Sequence, residues 1–183
     1  MSNGQTSPTG IRKGERLQHY KVAESRDDDP PRALEIEYWG RTDECLERKW
    51  AHMDMVDKVF KSRETCILSA MLKGAHTVLE LNMFPYDTRE GIEHWTLWSR
   101  DELDDSAIEK YICSWLRENA PHVESWNFDE KLARSIDIFH VHVYFKVPVD
   151  AQNELIPSAA NRQNSLCRVD TLETQCLSSW SQN

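Results

Sequence analysis

Ser135-Ile136-Asp137-Ile138-Phe139-His140-Val141-His142-Val143-Tyr144-Phe145 alternates apolar and polar residues from Phe139 onward. A period of two predicts a β-strand with His140, His142 and Tyr144 on one face and Phe139, Val141, Val143 and Phe145 on the other. Burying the apolar row against a core would hold two imidazoles and a phenol rigidly along one surface. A second alternating segment, Ile92-Glu93-His94-Trp95-Thr96-Leu97-Trp98, adds His94 and is expected to form a neighbouring strand.

The flanks of these strands read as helices and loops. Asp43 is expected to cap a helix running to about Phe60, along which Leu46, Trp50, Met53, Val56 and Phe60 recur at helical spacing. A shorter helix through Ile67, Leu68, Met71 and Leu72 is expected to end near Gly74. Pro85 breaks regular structure within Asn82-Met83-Phe84-Pro85-Tyr86-Asp87, which reads as an ordered loop whose Asn82, Tyr86 and Asp87 either line a ligand site or serve turn formation and ordinary loop packing. Ser99-Arg100-Asp101-Glu102 has the form of a capping box, predicting a helix that starts there. It carries Leu103, Ala107, Ile108, Tyr111, Ile112 and Trp115 inward and stops before Pro121. Trp126-Asn127-Phe128 then leads toward the histidine strand, whose core ends near Val147-Pro148.

Together these elements predict an α+β fold, a single domain with packed helices and a small, mainly antiparallel sheet containing residues near 92 to 98 and 138 to 146. The chain has 183 residues, enough for one domain of about 120 to 150 residues with ragged ends. Residues 1–32, with Asp27-Asp28-Asp29 ahead of Pro30-Pro31, read as a flexible approach segment. Residues 33–150 read as the α+β domain, and 151–183, rich in Asn, Gln and Ser, as a mobile tail.

A hydrophobic fraction of 39% with seven Trp, five Tyr and five Phe supports a packed core. The formal charge is −9, and Asp87 to Glu118 holds nine acidic residues against four basic ones. Such a surface repels polyanions, so no extended nucleic acid is expected as a partner, while a small nucleotide remains compatible. Met1 to Gly10 lacks the apolar core of a signal peptide and no apolar run approaches 18 residues. A cytoplasmic protein with access to the nucleus and no membrane partner is expected. Cys45, Cys66, Cys113, Cys167 and Cys176 are odd in number and widely spaced, which reads as free thiols.

Two readings of the histidine row follow from the residues alone. Hydrogen-bonded histidines inside a core are ordinary structural features. At a cleft, neutral His142 would attack an activated phosphoryl centre through nitrogen while His140 orients it or shuttles a proton. Paired imidazoles also suit a transition metal, but a third ligand from His94, Asp87 or Asp137 would have to join them. No metal and no cofactor is assigned.

The alternation His140-Val141-His142-Val143-Tyr144 resembles the strand of histidine-triad proteins, an α+β family that binds nucleotide phosphates and forms a nucleotidyl-histidine intermediate. That resemblance implies His142 as nucleophile and His140 as its supporting histidine, with Tyr144 standing where the family carries a third histidine. Asn127, Ser135, Tyr144 and His94 would then be ligand-binding residues. A closer resemblance, over roughly Leu46 to Phe145, is to a fungal family typified by the N-acetylglucosamine-induced protein. It is carried by Phe84-Pro85-Tyr86, His94-Trp95-Thr96-Leu97-Trp98-Ser99, Asn127 and His140-Val141-His142-Val143. The histidine-triad resemblance implies a divergent nucleotide hydrolase or nucleotidyl transferase, while the fungal one implies family membership and no particular reaction. The alternative is a noncatalytic scaffold that binds a small polar ligand or a protein partner, with a homodimer among the expected forms.

Overall fold

In the structure, a computed structural model that describes residues 26–129 and 136–148, the alternation around His140 forms the strand expected of it. That strand, β4 (Phe139–Lys146), joins β1 (Thr77–Leu81), β2 (Ile92–Ser99) and β3 (Ser125–Asp129) in one antiparallel sheet of order β1-β2-β4-β3. Three helices accompany it among the described residues: α1 (Asp43–Val59), α2 (Arg63–Ala70) and α3 (Asp105–Asn119). The fold is therefore α+β, a single domain of packed helices and a small antiparallel sheet.

The chain runs from β2 through α3 to β3 and then inserts β4 between the two strands. Both histidine-bearing strands thus lie side by side at the centre of the sheet. Their register sets His94 opposite Tyr144, Thr96 opposite His142 and Trp98 opposite His140, and β3 sets Asn127 opposite Tyr144 and Asp129 opposite His142. Side chains of the same parity share a face, so one face collects His94, His140 and His142 and the other collects the apolar row.

The apolar face is covered by α3. Ile108, Ile112, Cys113 and Leu116 of the helix pack with Trp95, Leu97, Val141, Val143, Phe145 and Trp126 of the sheet in one continuous core. Leu97, Ile112, Leu116, Trp126, Val141, Val143 and Phe145 are wholly buried. The histidine face carries two smaller apolar clusters with a polar strip between them. At one end Trp98 packs with Ile67, Leu72 and Ile138 under α2. At the other end Tyr144 packs with Leu34 and Tyr86, flanked by Ile36, Trp39 and Ile92.

The chain between Pro30 and Leu34 closes the outer edge of β3. Trp126 donates its backbone N–H to Pro31 O and its indole N–H to Pro30 O, at 3.1 and 2.9 Å, and Leu34 N–H donates to Trp126 O. Asp29 reaches α3 through an ion pair with Arg117 at 2.9 Å. The last residues of the expected approach segment are therefore docked on the domain, while residues 1–25 and the expected tail lie outside the described residues. Covering an exposed strand edge in this way removes a template for unwanted pairing.

The structure corrects or adds to the expectations at three places. First, Thr42 caps α1, its hydroxyl accepting from Cys45 N–H at 3.2 Å, and Asp43 is the first helical residue. The buried line of α1 is Cys45, Met53 and Val56, while Leu46 and Trp50 are exposed by 38% and 53%. Helical spacing identified an apolar stripe, but the loop beneath α1 meets the neighbouring face. Second, the Ser99 capping box caps no helix. Ser99 is the fully buried last residue of β2, its hydroxyl accepting from Asp101 N–H, and α3 starts later under Asp104, whose carboxylate accepts from Ala107 N–H at 2.8 Å. Pairing of Ser99 with Thr77 and Phe139 across the sheet outcompetes helix initiation there. Third, Thr77–Leu81 and Ser125–Asp129, too short to show a clear alternation, are the edge strands that complete the sheet.

Gly91 illustrates how tightly the β2 entry is built. Its φ is +82°, and a Cβ there would sit 3.2 Å from Val147 O, while its own carbonyl accepts from Val147 N–H at 2.8 Å. A residue with a side chain would be strained on both counts. No helix among the described residues is long and apolar enough to cross a membrane.

Candidate functional site

The polar strip is centred on two imidazoles in direct contact, with His94 Nε2 2.6 Å from His142 Nδ1. Their positions follow from the β2–β4 register, which offsets them by one cross-strand step. Both are buried, at 2% and 8% exposure. The loop from Asn82 to Tyr86 roofs them. Tyr86 stacks on His94 at 4.6 Å and on His142 at 5.4 Å between ring centroids, and the Arg41 guanidinium lies over the Tyr86 ring at 4.3 Å.

The backbone fixes the protons in this pair. Tyr86 N–H lies 2.9 Å from His94 Nδ1, and an amide nitrogen can only donate, so Nδ1 holds a lone pair. Neutral His94 therefore carries its proton on Nε2 and donates it to His142 Nδ1. Neutral His142 in turn carries its own proton on Nε2. Asn82 anchors the loop above the pair: its Nδ2 donates to Thr96 Oγ1 at 2.7 Å and its Oδ1 accepts from Phe84 N–H at 2.9 Å. The same Nδ2 lies 3.4 Å from His94 Nε2, a much longer approach than that of His142.

His140 is arranged differently. Its Nδ1 lies 2.7 Å from Ile138 O, and a carbonyl can only accept, so Nδ1 carries the proton and the neutral ring keeps its lone pair on Nε2. The ring is half-buried, tilted over Trp98 at 4.7 Å, and its centroid is 6.2 Å from that of His142. Along one strand face the two histidines thus present opposite tautomers.

Tyr144 completes the row but is 1% exposed, stacked on His94 at 4.9 Å and against Trp39 at 4.8 Å. Burial above all, then Tyr86 and Asp129, pushes its phenol well above the ordinary tyrosine range, with Arg41 pulling the other way. It stays a neutral hydroxyl at any physiological pH. Asn127 shares the face, and its amide is already engaged: Nδ2 donates to Leu34 O at 2.9 Å, while Oδ1 accepts from Arg32 Nε and Phe128 N–H. It ties the N-terminal segment to β3. Ser135 lies outside the described residues.

The structure therefore brings His94, His142 and Tyr144 together under one loop, sets His140 at the end of the same row and places Asn127 at the β3 edge. Among the described residues no group of three His, Cys, Asp or Glu is placed to hold a metal ion. Thr96, Arg41 and Trp39 join the site although the sequence did not single them out as site residues. Thr96 was accessible from parity, since it lies between His94 and Trp98 on the same face; Arg41 and Trp39 reach the site from a loop that gives no periodic signal.

No family model matches the chain and no curated protein does, so the resemblance to the fungal family gains no support from either comparison. One solved structure, that of HTC1, aligns with 77% of this chain and 87% of its own at 18% identity and a TM-score of 0.42. A likeness of that degree carries no argument about the site, which stands on its side chains.

Proposed function

We propose that this protein acts on a small phosphate ester of nucleotide type, as a hydrolase or nucleotidyl transferase, through the histidine row of β4. The supporting observation is the ordered chain from Tyr86 N–H through His94 to His142, which fixes the tautomers of buried imidazoles beside a half-buried third one. Proton order of this kind serves chemistry in which one ring nitrogen must be basic and its neighbours must not compete for the same proton. The motifs that carry the resemblance to the fungal family lie on adjoining elements: Phe84 to Tyr86 in the roofing loop, His94 to Ser99 on β2, His140 to Val143 on β4 and Asn127 on β3. Membership of that family and a distant relation to histidine-triad proteins are part of this proposal.

Rapid-quench intact-protein mass analysis with a panel of activated nucleotides tests it. A transient mass increase equal to one nucleotidyl group, with turnover, is expected. Absence of both across the panel would defeat the enzymatic reading.

A second reading, noncatalytic binding of a small polar ligand, is favoured by the Tyr86 ring stacked over both buried imidazoles. Calorimetric binding of a nucleotide without adduct or turnover would select it.

A further inference from the structure

We infer that His140, rather than His142, is the imidazole that bonds to phosphorus, and that His142 and His94 are positioning residues whose tautomers are set by the Tyr86 backbone amide. This rests on the phosphate-ester reading above, and it reverses the roles that the family resemblance implies.

The argument is one of lone pairs. A nucleophilic imidazole must offer an unprotonated nitrogen. In His140 the Ile138 carbonyl claims the Nδ1 proton and leaves the lone pair on Nε2. In His142, Nδ1 accepts from His94 and the ring proton sits on Nε2. For His142 to react through Nε2 it would have to adopt the Nδ1–H tautomer, which turns its N–H toward His94. His94 would then have to move its own proton to Nδ1, against the Tyr86 N–H. Left as it is, His94 would set two donors face to face in a strip where the two residues are only 2% and 8% exposed. Burial points the same way, since His140 is half-buried whereas His142 lies beneath the Tyr86 ring.

In the first step the His140 Nε2 lone pair forms the N–P bond, while the P–O bond to the leaving group breaks and its electron pair departs on that oxygen. The Nδ1–H stays on Ile138 O, and the ring becomes a positively charged phosphorylated imidazole. Water then forms a new P–O bond, the N–P pair returns to Nε2, and the water proton passes to solvent. His142 and His94 lose no proton in either step. They hold the row in place beneath the loop.

Two measurements on the full chain test this. Nitrogen-15 spectra of the histidine rings, recorded above the ordinary histidine titration range and assigned with His140→Asn and His142→Asn, should show Nδ1–H for His140 and Nε2–H for His142. The opposite pair of tautomers would overturn the inference. Tandem mass mapping after rapid quench with a nucleoside monophosphate p-nitrophenyl ester should place the adduct on His140. His140→Asn should abolish it, and His142→Asn should retain it with formation slowed by up to about 100-fold through misplacement. An adduct on His142, or one that survives in His140→Asn, would overturn the assignment. If the wild-type protein forms no adduct, the phosphate-ester reading fails instead, and the spectra still decide which imidazole carries the lone pair. Asn is chosen because its amide can replace either the Nδ1–H at position 140 or the Nδ1 acceptor at position 142, and mass mapping of the wild-type adduct decides the matter even if a variant fails to fold.

Discussion

The two faces of one four-stranded sheet are stabilised in different ways. The face under α3 is a continuous apolar layer of Trp126, Phe145, Val141, Val143, Leu97, Ile112 and Leu116, where hydrophobic burial dominates and individual contacts are interchangeable within limits of shape. The face under the Tyr86 loop is split into two apolar clusters separated by His94, Thr96 and His142, where burial is tolerable because each polar group is given a partner. The comparison teaches that the strands alternate between two kinds of interior. One is tolerant of chemistry and intolerant of voids; the other is tolerant of neither a void nor a misplaced proton.

The largest expected effect lies on the apolar face. Trp126→Ala removes a fully buried indole together with its hydrogen bond to Pro30 O, and it should destabilise the protein by about 3–5 kcal/mol. The change would be read from urea denaturation followed by circular dichroism. A loss under about 1 kcal/mol would show that the β3 edge contributes little to the core.

On the histidine face His94→Ala leaves both the Tyr86 amide and His142 Nδ1 without the ring that joins them. A cost of about 2–4 kcal/mol is expected, with each abandoned group contributing part of it. The same denaturation series would measure it, and near-UV circular dichroism should change as the Tyr86 stack loosens. If His94→Ala were neutral, the contrast between the two faces would collapse.

The smallest expected effect is a pH dependence confined to alkaline solution. Tyr144 has a phenol raised above its ordinary value of 10.0, chiefly by burial. The unfolded chain releases this proton first, so stability is unaffected below pH 10 and falls as pH rises further. Ultraviolet titration should show a late-ionising tyrosine component that Tyr144→Phe removes. Absence of a late component in the wild-type protein would show that the histidine face admits solvent.

Much of this arrangement is legible in local patterns. The alternation at Phe139–Lys146 and Ile92–Ser99 announced both central strands and their two faces, because a period of two is a geometric property of extended chain. The helix before Pro121 was equally visible in its apolar spacing. The short edge strands were not, since five residues offer too few repeats and their strand character comes from pairing with β2 and β4. The start of α3 was misread for a related reason: Ser99 and Asp104 are both competent caps, and the sheet decides between them by occupying Ser99.

What the sequence by itself determined is which residues could share a surface: His140, His142 and Tyr144 on one face of a strand, with His94 free to join them from the next. Parity along an extended chain needs no partner to be true. What only the tertiary structure decided is the state of each group on that surface. The β2–β4 register brought His94 Nε2 to His142 Nδ1, the loop brought the Tyr86 amide to His94 Nδ1, and the turn before β4 left the Ile138 carbonyl at His140 Nδ1. The position of a histidine proton is set by the donor or acceptor facing the other ring nitrogen, and here those partners lie two, eight and 48 residues away along the chain.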